Sequence, residues 1–176
     1  MKSLSLLLRA FWFLSIIVFL VALFYSYFYW QDFVDIDFDK DGYSVFHLTR
    51  NVTFYSIAGF VLIVNLLFII IRNVLPRIED SLTFLPNSAY WLQDKYSKQY
   101  TVGLLKNWIN SFLFFINMYI AAFTGMLGFV NLADYDARME LKDFQWMLPV
   151  LAIGLGLHVF YVLVRFFIKT GGFSKS

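Results

Sequence analysis

The sequence predicts an all-α integral membrane protein, a four-transmembrane-helix bundle. Three observations carry that class. Sixty per cent of the 176 residues are hydrophobic and only 15% are charged, against roughly a quarter charged in an ordinary soluble domain. The apolar residues fall into four long runs, and the charges collect between them. A water-soluble core of this size could not hide so much apolar surface, which largely excludes a soluble enzyme.

The spans are expected at residues 10–30, 52–71, 108–130 and 146–168, each near the ~20 residues that cross hydrocarbon. The first follows Lys2 and Arg9 and so resembles a signal peptide in its flank. Its apolar run is longer than the ~7 to 15 residues of such a segment, and it ends in Tyr25-Ser26-Tyr27-Phe28-Tyr29-Trp30 with no small-residue cleavage pattern, so a retained helix is expected. Trp30, Trp108 and Trp146 stand where aromatic belts form.

Four spans put both termini on one side. Ten basic residues (Lys2, Arg9, Arg72, Arg77, Lys95, Lys98, Lys106, Arg165, Lys169 and Lys175) share that side with the middle loop, against four on the other side, which carries nine of the twelve acids. The positive-inside rule then predicts that the N-terminus, the C-terminus and the loop from Asn73 to Asn107 face the cytoplasm. The surplus of 14 basic over 12 acidic residues, +2, is too small to suggest nucleic acid. With no cysteine, disulfides, thiolate catalysis and cysteine-based metal centres are excluded.

The first outer loop has two readings. From Asp37, the series Asp37, Asp39, Asp41 and Gly42 matches the opening of a calcium loop, in which alternating carboxylates converge on a hard cation. Leu48 stands at the twelfth position, where a bidentate Glu belongs. The other reading is a small β-hairpin: Val34, Ile36 and Phe38 alternate, Asp41-Gly42 is a favoured turn pair, and Tyr43 and Val45 resume the alternation. Calcium is the one cofactor the sequence raises.

In the inner loop, Pro86 ends one segment and Asn87 or Ser88 can cap the next. Tyr96, Tyr100, Leu104 and Leu105 among Lys95, Lys98 and Lys106 suit a short interfacial helix at the inner membrane face, or else an early start of the third span. Leu85-Pro86-Asn87-x-x-Tyr90-Trp91-Leu92 resembles the P-N-x-x-Y-W-L signature after the second helix of a family of small multi-span bacterial membrane proteins of unknown function, whose module also occurs in SdpI-type immunity proteins. In that family the loop after helix one carries a His-Phe-x-x-x-Gly pattern. Phe38 and Gly42 fit its places, while Asp37 stands where the histidine would be. The resemblance implies a topology and no catalytic residues.

Polar side chains within the spans form the candidate site. Asn110, Asn117, Thr124 and Asn131 recur every seven residues along span three, and Gly154, His158, Tyr161 and Arg165 share one side of span four. Counting residues from the inner ends puts Asn117 and His158 at one depth, so the two faces are expected to pack as an intramembrane polar seam, joined by Asn65. Ala121-x-x-x-Gly125 and Ala152-x-x-x-Gly156 would permit close approach. Such a seam serves either as interhelical hydrogen bonding alone or as a polar cavity around His158 with Asn117, Tyr161 and Arg165. Paired-histidine haem ligation is disfavoured because His47 lies outside the spans. Zinc-protease, phosphate-loop and Ser-His-Asp signatures are absent. The expected function is therefore non-enzymatic: an accessory, assembly or immunity-type protein in contact with membrane lipid and a protein partner. The alternative is a small transporter or ligand-binding protein with a polar site between spans three and four.

Overall fold

A computed structural model describes residues 2–38, 44–132 and 146–168. Their order is helix α1 (Lys2–Tyr29), strands β1 (Phe33–Phe38) and β2 (Ser44–Thr49), helix α2 (Arg50–Val74), two 3-10 turns (Leu75–Arg77 and Glu79–Phe84), and helices α3 (Ser88–Trp91), α4 (Lys95–Val130) and α5 (Met147–Phe167). Four of these helices are long and apolar enough to cross a membrane. The strands pair antiparallel as a two-stranded sheet, with Val34 opposite Leu48 and Asp35 opposite His47. The pairing slips between Asp35 and Asp37, a bulge at Ile36.

Each element follows from local chemistry. Thr49 ends β2 and caps α2, its side chain accepting from the Val52 N–H at 3.4 Å. Asp94 caps α4 by accepting from both the Ser97 N–H (2.7 Å) and the Ser97 hydroxyl (2.8 Å). Beyond that cap nothing interrupts the helix. Residues 95–107 contain no proline and one glycine, so they are the first turns of a single 36-residue α4 and not a separate interfacial helix. At ~1.5 Å rise per residue α4 is about 54 Å long, well over the ~30 Å of a hydrocarbon core.

Burial is inverted relative to a soluble bundle. Leu6, Val21, Ile63 and Phe160 are more than half exposed, whereas Asn65, Asn117, Thr124 and Ser26 are buried. Apolar exteriors around polar interiors are what lipid selects, because hydrocarbon offers a polar side chain no partner. Helix α4 is the centre of the arrangement. One side of it packs on α1 and α2, with Phe19, Leu23, Val61, Ile120 and Ala121 in the middle layer. At one end Trp30, Val34, Met126 and Leu127 seat the hairpin, and at the basic end Leu75, Leu82, Leu85, Trp91 and Phe166 gather the α2–α4 connection against α4 and α5.

The close helix approach is at a glycine other than those expected. A Cβ at Gly125 or Gly156 would meet nothing within 4 Å, but one at Gly128 would lie 2.4 Å from the Ser26 hydroxyl and 3.1 Å from the Ser26 Cβ. The tight crossing therefore joins α4 to α1, not to α5. Gly128→Ala is expected to lower stability by about 1–3 kcal/mol through overpacking. Gly156→Ala is expected to be neutral or to stabilise by up to about 1 kcal/mol, since alanine is the better helix former. Thermal unfolding of both variants in detergent checks the contrast.

Candidate functional site

The heptad stripe of α4 is buried throughout, and its members meet α2, α1 and the hairpin in turn along the helix. Asn110 accepts from the Arg72 guanidinium of α2 at 2.8 Å. Asn117 and Asn65 face each other as a reciprocal amide pair, with N–H donated each way at 2.8 and 3.2 Å. The carbonyl of Thr124 accepts the Ser26 hydroxyl of α1 at 3.0 Å. Asn131 reaches the hairpin, accepting from the Asp35 N–H at 2.7 Å and donating to the Asp35 carbonyl at 3.0 Å. Seven residues fall 20° short of two full turns, so these side chains stay on one slowly drifting line. That line faces α1, α2 and β1.

The central amide pair uses all its donors. Asn65 donates to Asn117 and to the Val61 carbonyl, while its oxygen also accepts from the Trp12 indole at 2.9 Å. Asn117 donates to Asn65 and to the Ser15 hydroxyl (3.1 Å), which itself donates to the Trp12 carbonyl (2.6 Å). Each amide has two N–H groups, and all four have acceptors. The orientation of both amides follows, since a flipped Asn65 would set its NH₂ against the indole N–H. Among the described residues no buried side-chain nitrogen or oxygen lacks a partner.

His158 does not join this line. Its ring is 3.0 Å from the Ser111 hydroxyl, parallel to the Trp108 ring and tilted against Phe115, and its carbonyl accepts the Trp108 indole N–H at 3.3 Å. At 100° per residue, Ser111 and Trp108 project about 120° and 180° around α4 from Asn117. The expected meeting of Asn117 with His158 is therefore corrected: Asn117 turns to α1 and α2, while His158 of α5 packs against a different side of α4. Tyr161 is 62% exposed and points outward. Arg165 lies over the Trp91 ring, 5.1 Å from its centroid.

The Pro86-Asn87-x-x-Tyr90-Trp91-Leu92 segment has a structural task. Asn87 adopts the left-handed conformation (φ 55°, ψ 36°), which asparagine tolerates better than most residues. It stands at the N-cap of α3, one of the two positions expected to cap, but its side chain makes no cap bond there. It donates instead to the Phe166 and Phe167 carbonyls at 3.2 and 2.9 Å. Trp91, fully buried, donates its indole N–H to the Phe166 carbonyl at 3.1 Å and sets its ring edge-on to Phe166. The α2–α4 connection thus satisfies orphan carbonyls at the end of α5.

No family model matches the chain, and no curated protein or solved structure does. Its chemistry is accordingly read from these contacts alone. For the calcium reading, Asp39 and Asp41 lie outside the described residues. The Asp37 carboxylate accepts from the N–H of Phe38 at 3.0 Å, and the described residues contain no cluster of three or more His, Cys, Asp or Glu suited to a metal.

Trp12, Ser15 and Ser26 of α1 and Arg72 of α2 belong to the polar core, although sequence reasoning did not single them out. A serine in a helix can satisfy itself on its own backbone, so it carries little signal. The usable sign was the eleven-residue spacing of Ser15 and Ser26, which returns to nearly one face after three turns. Asn131→Ala is expected to loosen the hairpin without unfolding the bundle, at about 1–3 kcal/mol for the bonds to Asp35. Faster hydrogen exchange at Asp35 with an unchanged amide pattern along α2 would be the signature.

Proposed function

We propose that the protein is a multi-pass component of the bacterial inner membrane, with cytoplasmic termini, that acts by contact and without catalysis. It would serve as an accessory subunit, an assembly factor or an immunity-type shield. The observation that supports this reading best is how the bundle spends its polar groups: Asn65, Asn117, Ser15 and Trp12 satisfy one another, while the apolar helix faces turn outward. Helix α5 is the most open of the four, with none of its most apolar 18-residue window buried. It rests on α4 through Trp108, Ser111 and Phe115 and is fastened at its end by Asn87 and Trp91. A helix held this way offers its remaining surface to lipid or to a neighbouring helix.

Extraction of the full chain from native membranes in mild detergent is expected to recover a partner in fixed stoichiometry. Photo-crosslinkers at the exposed positions Leu157 and Phe160 should trap that partner, and the same group at buried Leu113 should not. Recovery only as a monodisperse, partner-free species, with no crosslink from α5, would contradict the proposal. The transporter alternative centres on Asn117 and His158, and it draws less support from residues that have separate neighbours.

A further inference from the structure

Three cations from three helices converge at the basic end. Arg72 of α2 is held in place from two sides: it donates to Asn110 of α4, and its guanidinium lies 5.3 Å from the centre of the Trp12 ring of α1. Arg9 is three residues from Trp12, and Lys106 is four residues from Asn110, each one turn nearer the helix end. Those spacings place both on the faces that grip Arg72. The charges act on one another: Arg9 repels Arg72, and Lys106 is repelled by both. The ion pairs of the described residues are Arg50 with Asp32 and Lys98 with Asp80, and they leave this triad without a carboxylate.

A cluster of like charges that the fold holds together calls for a counter-anion. Its depth says which kind. Arg9 directly precedes the apolar run 10–30, Arg72 directly follows 52–71, and Lys106 stands two residues before 108–130, so all three lie at the level of lipid headgroups. Leu6 and Phe13 are three residues before and four after Arg9, on the same face of α1, and are 71% and 63% exposed. An acyl chain hanging from a phosphate at the triad would run along Phe13. Basic pockets between helices on the cytoplasmic side are the usual form of headgroup recognition.

We infer that Arg9, Arg72 and Lys106 form a binding site for the phosphate of an anionic phospholipid. The inference rests on the membrane-crossing part of the function proposed above, and not on its partner. Arg72 belongs to the polar core, so the test leaves it intact. The full chain is released from micelles doped equally with phosphatidylglycerol and phosphatidylcholine, and retained lipid is read by native mass spectrometry. At about 1 kcal/mol per cation near an anionic surface, the three cations are expected to make wild type favour phosphatidylglycerol on the order of a hundredfold. Arg9→Gln/Lys106→Gln is expected to cut the ratio to about fivefold, the share of the one remaining cation. Arg77→Gln/Lys95→Gln removes the same charge from exposed positions at the same end and should keep the preference.

Equal retention of both lipids by wild type would overturn the site whatever the variants do. So would equal loss of preference in both double variants, which would mean net charge alone. Displacement of the lipid by excess inorganic phosphate would assign the triad to a free anion and reject the lipid. Alkaline carbonate washing of membranes separates the two levels: protein that stays in the pellet but shows no lipid preference loses only this site, whereas protein that washes off loses the membrane reading and the site together.

Discussion

Trp91→Ala is expected to lower stability by about 3–5 kcal/mol, the range for removing a fully buried tryptophan. The loss has three parts. The indole donates to the Phe166 carbonyl, its face supports the Arg165 guanidinium, and its ring fills the space among Leu75, Leu82, Leu85 and Phe166. Trp91→Phe keeps most of the packing and gives up the N–H, so it should cost about 1–3 kcal/mol for the carbonyl left behind. Thermal unfolding ranks the two variants. Hydrogen exchange locates the damage, which should concentrate in the last turn of α5 and leave the α1–α4 crossing protected. A Trp91→Ala protein within about 1 kcal/mol of wild type would mean that the α2–α4 connection does not hold α5.

The second large effect concerns the amide pair. Asn117→Leu removes the partner of two Asn65 bonds and one Ser15 bond at a fully buried position. Hydrogen bonds between helices in a bilayer average about 0.6 kcal/mol and reach about 1.7, so the single change should cost about 2–4 kcal/mol once the unpaired Asn65 amide is included. Asn65→Leu should cost a similar amount. The double variant is expected to lose less than the sum, because replacing both partners with apolar groups leaves no amide searching for the other. A double-mutant cycle in detergent unfolding reads this coupling directly. Strict additivity would contradict a paired network.

Much of the architecture is legible in the residues. Four uninterrupted apolar runs announce four long helices, and the alternation of Val34, Ile36 and Phe38 around an Asp-Gly pair announces the hairpin. The heptad of Asn110, Asn117, Thr124 and Asn131 is a continuous line because the spacing is nearly commensurate with the helix. What the line faces is harder to read. Matching depths in antiparallel helices fixes the level of a residue and says nothing of its rotation about the axis. Asn117 and His158 agree in level by that count, yet 120° of rotation gives Asn117 to α1 and α2 and leaves His158 to Ser111.

The small-residue motifs misdirect for a related reason. Gly125, Gly128 and Gly156 look alike in sequence, but only at Gly128 would an added Cβ find another helix within 4 Å. The segment that leads into α4 was ambiguous because its lysines and tyrosines suit both an interfacial helix and an early start of α4. The deciding element is Asp94, whose side chain caps Ser97 and starts a helix that nothing later breaks. Asn87 was invisible as a clasp for α5, because its partners at Phe166 and Phe167 are about 80 residues further along the chain.

The central claim is that α4 turns its polar line to α1 and α2 and its aromatic side to α5. Paired cysteines in native membranes test it most directly, because the chain has none of its own. Under mild oxidation Ser15→Cys/Asn117→Cys and Ser111→Cys/His158→Cys are expected to cross-link within the chain, and Asn117→Cys/His158→Cys is not. Efficient cross-linking of Asn117 with His158, together with none between Ser15 and Asn117, would contradict the arrangement.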